Sequence, residues 1–171
     1  TLTGEPITGP FYARGATWGS TFGKISPTYE ECRAECSGLF LCLEAEILEV
    51  FGVLIDDDDA YKKSNILDVS YINWLLMARA GLTGLEFYTP ETKEWRQAHM
   101  QARYVILRLL LQAEDGKLLS LHQIPVGESD DGKPDVEIRL DRELISTVGT
   151  KVVGDFLLTL QVYKSLGDVE N

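Results

Sequence analysis

The run TYEECRAECSG, positions 28 to 38, places Glu30, Glu31 and Glu35 within six residues around a single arginine, Arg33. On a helix turning about 100° per residue, Glu31 and Glu35 share one face and Glu30 lies roughly a quarter-turn aside. Like charges this close destabilise an isolated helix by roughly 0.2–0.5 kcal/mol per pair, so the crowding asks for a reason. One reason is a capping box, with Thr28 as N-cap and Glu31 three residues on, both acids near the positive end of the helix dipole. That reading leaves Glu35, a turn further in, unexplained. The other is a cation site, in which one carboxylate is a ligand and its neighbours orient that ligand's partners.

The sequence holds two histidines, His99 and His122. A catalytic zinc ion usually takes three protein ligands, commonly including histidines. Neither H-x-x-x-H nor H-E-x-x-H spacing occurs, so these histidines do not complete such a site. His99 and Arg103 stand one helical turn apart and share a face, with Arg96 to one side and Arg108 farther along. They form either a solvated basic stripe or a set of donors for a developing oxyanion or a peptide carboxylate. His122 falls in a strand pattern with no carboxylate or cysteine at ligand spacing and reads as a structural or surface residue. Ser–His–Asp order, a P-loop and a G-x-G-x-x-G run are absent, which argues against a serine hydrolase or a nucleotide site.

The elements that must position these residues read mainly as helices. Residues 1 to about 25 hold seven Gly and Pro residues and form an irregular lead-in, pinned by Trp18 and Phe22. Helical spacing predicts a first helix from Ser26 or Thr28 to about Val50, with Pro27 in its first turn. The polar stretch 56–65 follows as a loop, where four consecutive aspartates are best solvated. A second helix is predicted over about Ile66 to Tyr88, carrying Ile72, Leu75, Leu76, Ala80, Leu82 and Leu85. A third runs from about Pro90 to Ala113, and a last from about Lys151 to Lys164. Between these, LLSLHQI and VEIRLD read as two short strands joined by a turn-rich segment. The expected fold is mainly α, a helical bundle with a small two-stranded β element near residues 117–141.

With 171 residues and 44% hydrophobic content, the chain can bury one core, as a domain or as a piece of a larger one. Its net charge of −11 argues against nucleic acid or an anionic membrane as partner, and leaves cationic or neutral ligands open. Cys32, Cys36 and Cys42 are odd in number, and the 32/36 spacing rarely gives disulfide geometry. They read as reduced core residues of a cytoplasmic protein. No apolar run reaches the ~18 residues a membrane span needs, and no signal peptide opens the chain. The opening TLTGEP, without methionine, suggests an excerpt of a longer protein.

The acidic run, NWLLMARAGLTGLEFYTPETKEWRQAHMQARYVILRLLL, RLDRELISTVG and LQVYKSLGDV together closely resemble the dipeptidyl peptidase III family, over nearly the whole chain. That family consists of zinc-dependent exopeptidases that release dipeptides from the N-termini of short peptides. The resemblance implies that residues 1–171 form part of the helical catalytic lobe. It implies Glu31 as a zinc ligand, with Glu30 and Glu35 holding the two zinc histidines in position. It places His99 at the substrate, stabilising the tetrahedral transition state, with Arg103 and, by weaker transfers, Arg108 and Arg79 contacting the peptide. Zinc would polarise the scissile carbonyl and a water, with a glutamate as general base.

That glutamate and the two zinc histidines belong to an H-E-x-x-x-H helix that this sequence lacks. The chain alone is therefore expected to hold zinc weakly or not at all and to hydrolyse nothing. Its expected partners are short peptides and the remainder of the parent polypeptide, with self-association through exposed apolar surface as a consequence of truncation. The alternative is a non-catalytic peptide-binding or protein-interaction module derived from the family. Leu2 in LTGE replaces an acid of the E-T-G-E motif by which some relatives dock a Kelch-type propeller, which argues against that docking here.

Overall fold

A computed structural model describes residues 3–6, 12–54, 58–129 and 131–169 of the chain, so Leu2 of the LTGE segment lies outside the described residues. From Tyr12 onward the lead-in is more ordered than its Gly and Pro content suggests. Helix α1 (Trp18–Phe22) opens on a reciprocal capping box between Thr17 and Ser20. Trp18 stacks on Phe22 at 4.0 Å between ring centroids, and both rings meet Tyr29 edge-on at 5.3 and 5.1 Å. As expected, the two aromatic residues pin the lead-in.

A 3-10 turn, Gly23–Ile25, runs directly into α2 (Ser26–Leu41). This corrects the capping box expected at Thr28 and Glu31. Because the helix has already begun, Thr28 lies inside it, buried, with Oγ1 donating to Gln101 Oε1 at 2.7 Å. The helix also stops nine residues before Val50. Its last carbonyls find other partners: Leu39 O accepts from Trp74 Nε1 at 3.1 Å, and Cys42 O from Ser70 Oγ at 3.1 Å. After an extended Glu44 the chain forms a separate α3 (Ala45–Val50).

Helix α4 (Asp59–Thr83) starts inside the stretch expected to be a loop. Asp58 caps it by accepting from the Tyr61 N–H at 2.8 Å, so at least one aspartate of the acidic tract meets the helix dipole. The buried stripe of α4 is Ser70, Trp74, Met77, Ala78 and Gly81, whereas Ile72 and Leu76 are more than half exposed. A 3-10 turn, Gly84–Phe87, ends it. Then β1 (Tyr88–Thr89) and β2 (Glu94–Trp95) pair antiparallel around Pro90, where a helix was expected. Helix α5 (Ala98–Gln112) begins only after that small hairpin, with Gln97 accepting from Met100 N–H at 2.7 Å. The second hairpin matches expectation: β3 (Leu119–Ile124) lies antiparallel to β4 (Asp135–Leu140). A π-helical turn, Ile145–Gly149, leads into α6 (Thr150–Leu166), which ends on left-handed Gly167 with paired bonds to Lys164 O and Tyr163 O.

The core surrounds the fully buried Trp74, with Cys36 and Leu39 from α2, Ile106, Leu107 and Leu110 from α5, and Val153 from α6. Two glycines set its closest approaches. A Cβ on Gly149 would stand 2.6 Å from the Trp74 ring, and one on Gly81 would stand 2.5 Å from Arg103 O. Only a residue without a side chain lets α4 come this near α5. That contact fixes how deep the helix carrying His99 and Arg103 sits. The mainly helical fold expected from the sequence is thus the fold observed.

Candidate functional site

Helix α2 presents carboxylates on two flanks, and each flank meets a different helix. Toward α5, Glu31 Oε2 stands 3.1 Å from His99 Nδ1, and Glu35 Oε1 stands 3.5 Å from the same nitrogen. Glu35 Oε1 also accepts from Arg103 Nε at 2.7 Å. The structure therefore gathers four of the residues singled out in the sequence, from segments nearly seventy residues apart. Glu35 is largely covered, with 18% of its side chain exposed, while His99 is 46% exposed and faces outward.

Toward α6, Glu30 is held by two cations. Its Oε1 accepts from Lys164 Nζ and its Oε2 from Arg33 Nη1, each at 2.6 Å. Lys164 Nζ also lies 4.7 Å from the centroid of Trp18, a cation–π contact, and Arg33 reaches Gln161 at 2.9 Å. Arg33 Nε is buried with no hydrogen-bond partner among the described residues. Glu30 thus points away from His99. The partnership with Lys164 was invisible in the sequence, since the two residues lie 134 positions apart and no local motif links them.

The other candidates stand outside this cluster. Arg108 Nη1 donates to Tyr104 on its own helix, Arg96 lies over the Phe87 ring, and Arg79 is exposed on α4. His122 Nε2 pairs with Ser120 Oγ at 2.9 Å on the β3–β4 hairpin, opposite Glu137. All three cysteines are free thiols. Burial first, then the nearby Glu35 and Glu31 carboxylates, push the Cys32 thiol up to about 12. Burial likewise pushes Cys36 up to about 12. Both are inert core groups between the two charged flanks.

The charge balance differs sharply between the flanks. Toward α6, two cations face one carboxylate, whereas toward α5 two carboxylates face one guanidinium and an imidazole. Among the described residues His99 is the only charged or hydrogen-bonding partner that Glu31 has, and 29% of the Glu31 side chain is exposed. A carboxylate so placed has oxygen lone pairs free for a cation. Yet no three His, Cys, Asp or Glu side chains among the described residues are arranged to hold a metal ion. The donor set fits a contributed ligand of a metal site and not a complete one.

Comparison with known proteins gives this cluster its setting. The dipeptidyl peptidase 3 of Nematostella vectensis is 51% identical over 168 residues, covering 98% of this chain and 21% of the relative. The human dipeptidyl peptidase 3 is 51% identical over 167 residues, with the same two coverages, and that of Dictyostelium discoideum is 41% identical over 175 residues, covering 99% of this chain and 23% of the relative. The chain spans about a fifth of the length of the curated relatives it matches. The model of peptidase family M49 matches residues 1–171, the whole of the sequence. A match of that extent, together with half-identity along the chain, establishes that the chain belongs to peptidase family M49.

Proposed function

We propose that residues 1–171 act as part of the catalytic lobe of a zinc-dependent exopeptidase that releases N-terminal dipeptides from short peptides. One observation carries this reading: the carboxylate pair Glu31 and Glu35, with a single guanidinium between them, stands beside His99 and Arg103, on the flank of α2 away from Lys164 and Arg33. Glu31 is the residue that would hold zinc, because its carboxylate is partly exposed and, among the described residues, has only an imidazole for a partner. Zinc, when bound, would supply Lewis-acid polarisation of the scissile carbonyl.

This chain's own residues would do the rest of the positioning. His99, exposed at the mouth of the cluster, would meet the peptide at its reacting carbonyl. Arg103, anchored to Glu35 through Nε, would present the remainder of its guanidinium to the peptide backbone or carboxylate. Arg79 and Arg108 are assigned weaker contacts farther out. Glu30 and Glu35 would stiffen the flanks of the ligand helix. The free thiols support a reducing, cytoplasmic setting, and among the described residues no helix is long and apolar enough to cross a membrane. The acidic balance disfavours nucleic acid and anionic lipid, and exposed Ile72 and Leu76 on α4 offer a surface for the rest of a parent polypeptide or for self-association.

The test is a chimera in which these 171 residues replace the matching segment of the sea-anemone relative. The chimera should bind zinc and release dipeptide from an arginyl-arginyl reporter, and Glu31→Gln should remove both. The isolated 171-residue chain should show neither. Full zinc occupancy in the Glu31→Gln chimera would defeat the reading.

A further inference from the structure

Helix α3 ends on a corner that turns two large apolar side chains toward solvent. Val50 is 83% exposed and Phe51 77%, the two highest values among the large hydrophobic residues described. The corner that carries them is tightly built. Gly52 N–H donates to Glu49 O and Val53 N–H to Leu48 O, each at 2.9 Å, with Gly52 left-handed at φ 68°. These paired bonds close the C-terminal end of the helix. Leu48 and Leu54, both buried, anchor the corner from either side. The closure therefore needs neither the Val50 nor the Phe51 side chain, and both project from a fixed backbone. Apolar groups presented on a fixed backbone cost little further ordering when they are covered, and aromatic residues are enriched where protein surfaces meet.

Charge narrows what can cover them. Glu46 lies one turn before Val50 on α3, and Glu49 is its neighbour. Glu49 ties the corner to the start of α4 through Lys62 Nζ at 2.6 Å, and Asp58 and Asp59 stand at that start. The four carboxylates outnumber Lys62 and Lys63, in a chain whose net charge is −11. A second copy would bring the same acids against them, so electrostatics oppose the pairing of two such corners. The matching surface is an apolar pocket rimmed by lysine or arginine. Because the chain spans about a fifth of its relatives' length, most of a parent polypeptide of that length lies outside these residues and can supply the pocket.

We propose that Val50 and Phe51 form an anchor seated in an apolar, basic-rimmed pocket of the parent polypeptide outside residues 1–171. The proposal rests on the reading of this chain as part of a larger peptidase and adds to it the place where the α3 corner is held.

The test is hydroxyl-radical footprinting, read residue by residue in a mass spectrometer, with the radical dose fixed by an added reporter. It compares the isolated chain, over a dilution series, with the chimera in the sea-anemone relative. Phenyl rings are readily hydroxylated where solvent reaches them, so Phe51 should be oxidised several-fold more slowly in the chimera. Phe51→Ser should leave the melting temperature of the isolated chain unchanged and lower that of the chimera. Glu46→Lys in the chimera should bring back part of the oxidation rate. Equal Phe51 rates in the two contexts overturn the proposal. So does protection that grows with concentration in the isolated chain and is no greater in the chimera, which makes the occupant a second copy. A rate unmoved by Glu46→Lys overturns the basic rim. A chimera that does not fold counts against the proposal as well, since a pocket matched to this corner should seat it. No step reads zinc or hydrolysis. Slow oxidation in an inactive chimera defeats the peptidase reading alone, and rapid oxidation in an active one defeats this proposal alone.

Discussion

Glu30 and Glu31 are neighbours of the same chemical type on one helix, yet their surroundings are opposite. Glu30 faces α6 and is neutralised by Lys164 and Arg33, with Trp18 capping the lysine. Glu31 faces α5 and meets an imidazole, beside a second carboxylate that has a single guanidinium. One flank is an ion-pair network that fastens two helices. The other keeps surplus negative charge, which costs stability unless a cation is to arrive there. Functional sites are where a chain tolerates such local conflict, and here the conflict is confined to one side of one helix.

Both flanks hang on the same core, so the largest effect should come from removing its centre. Trp74→Ala should cost about 3–5 kcal/mol, because the ring is fully buried and its Nε1 closes the C-terminal end of α2. Denaturant unfolding with near-ultraviolet circular dichroism should show both flanks lost together. An unfolding midpoint shifted only slightly would mean that the two helix pairs are stable without their shared centre.

The seam between the flanks should respond next, to alkali. The unfolded thiols ionise near 9, whereas burial holds Cys32 and Cys36 up to about 12. The folded state therefore keeps protons that the unfolded state loses, and stability falls as pH rises from about 9, on the order of a few kcal/mol by about pH 12. Tyr29, whose phenol burial pushes up to about 12 from 10, adds to the same limb. Cys36→Ala should flatten the slope of stability against pH, and alkylation of Cys32 and Cys36 should follow global unfolding. Rapid alkylation of either thiol at neutral pH in the folded chain would contradict the buried seam.

A smaller change should separate the flanks. Gly81→Ala drives a Cβ to within 2.5 Å of Arg103 O and 2.7 Å of the Leu107 Cβ, so α4 and α5 must part. The expected cost is about 1–3 kcal/mol. The His99 and Arg103 resonances should shift while the Trp18, Phe22 and Tyr29 cluster stays as it was. Equal disturbance of both would show that the flanks are mechanically one unit.

Much of this was legible in the sequence, and the reasons for the gaps are specific. Helical periodicity revealed the bundle, and alternation revealed the β3–β4 hairpin. Spacing alone placed Glu31 with Glu35, and His99 with Arg103, on common faces. Helix ends were less legible, because tertiary partners decide them: Trp74 and Ser70 take the carbonyls that would have extended α2 toward Val50. The apolar residues Ile72 and Leu76 suggested the wrong face of α4, since the buried stripe is built partly from Ser70, Ala78 and Gly81, small residues chosen for close approach and not for hydrophobicity. The pairing of the two faces with each other, and of Glu30 with Lys164, came from the fold. The family resemblance proposed a ligand role for Glu31, which spacing left open between a cap and a ligand. The observed start of α2 removes the cap.

The finest distinction lies between the two neighbouring acids, and its sign matters more than its size. Glu30→Gln leaves Lys164 and Arg33 facing each other without a countercharge, and both pairs are partly solvated, so the loss should be at most about 1 kcal/mol and should shrink in high salt. Glu31→Gln relieves repulsion with Glu35 one turn away, and should be neutral or stabilising by roughly 0.2–0.5 kcal/mol. Thermal melts of the two variants in low and high salt therefore move in opposite directions, and the gap closes as salt is added. If both substitutions destabilise alike, Glu31 is a structural acid like its neighbour, and the surplus charge on the α5 flank loses its claim to be kept for a cation.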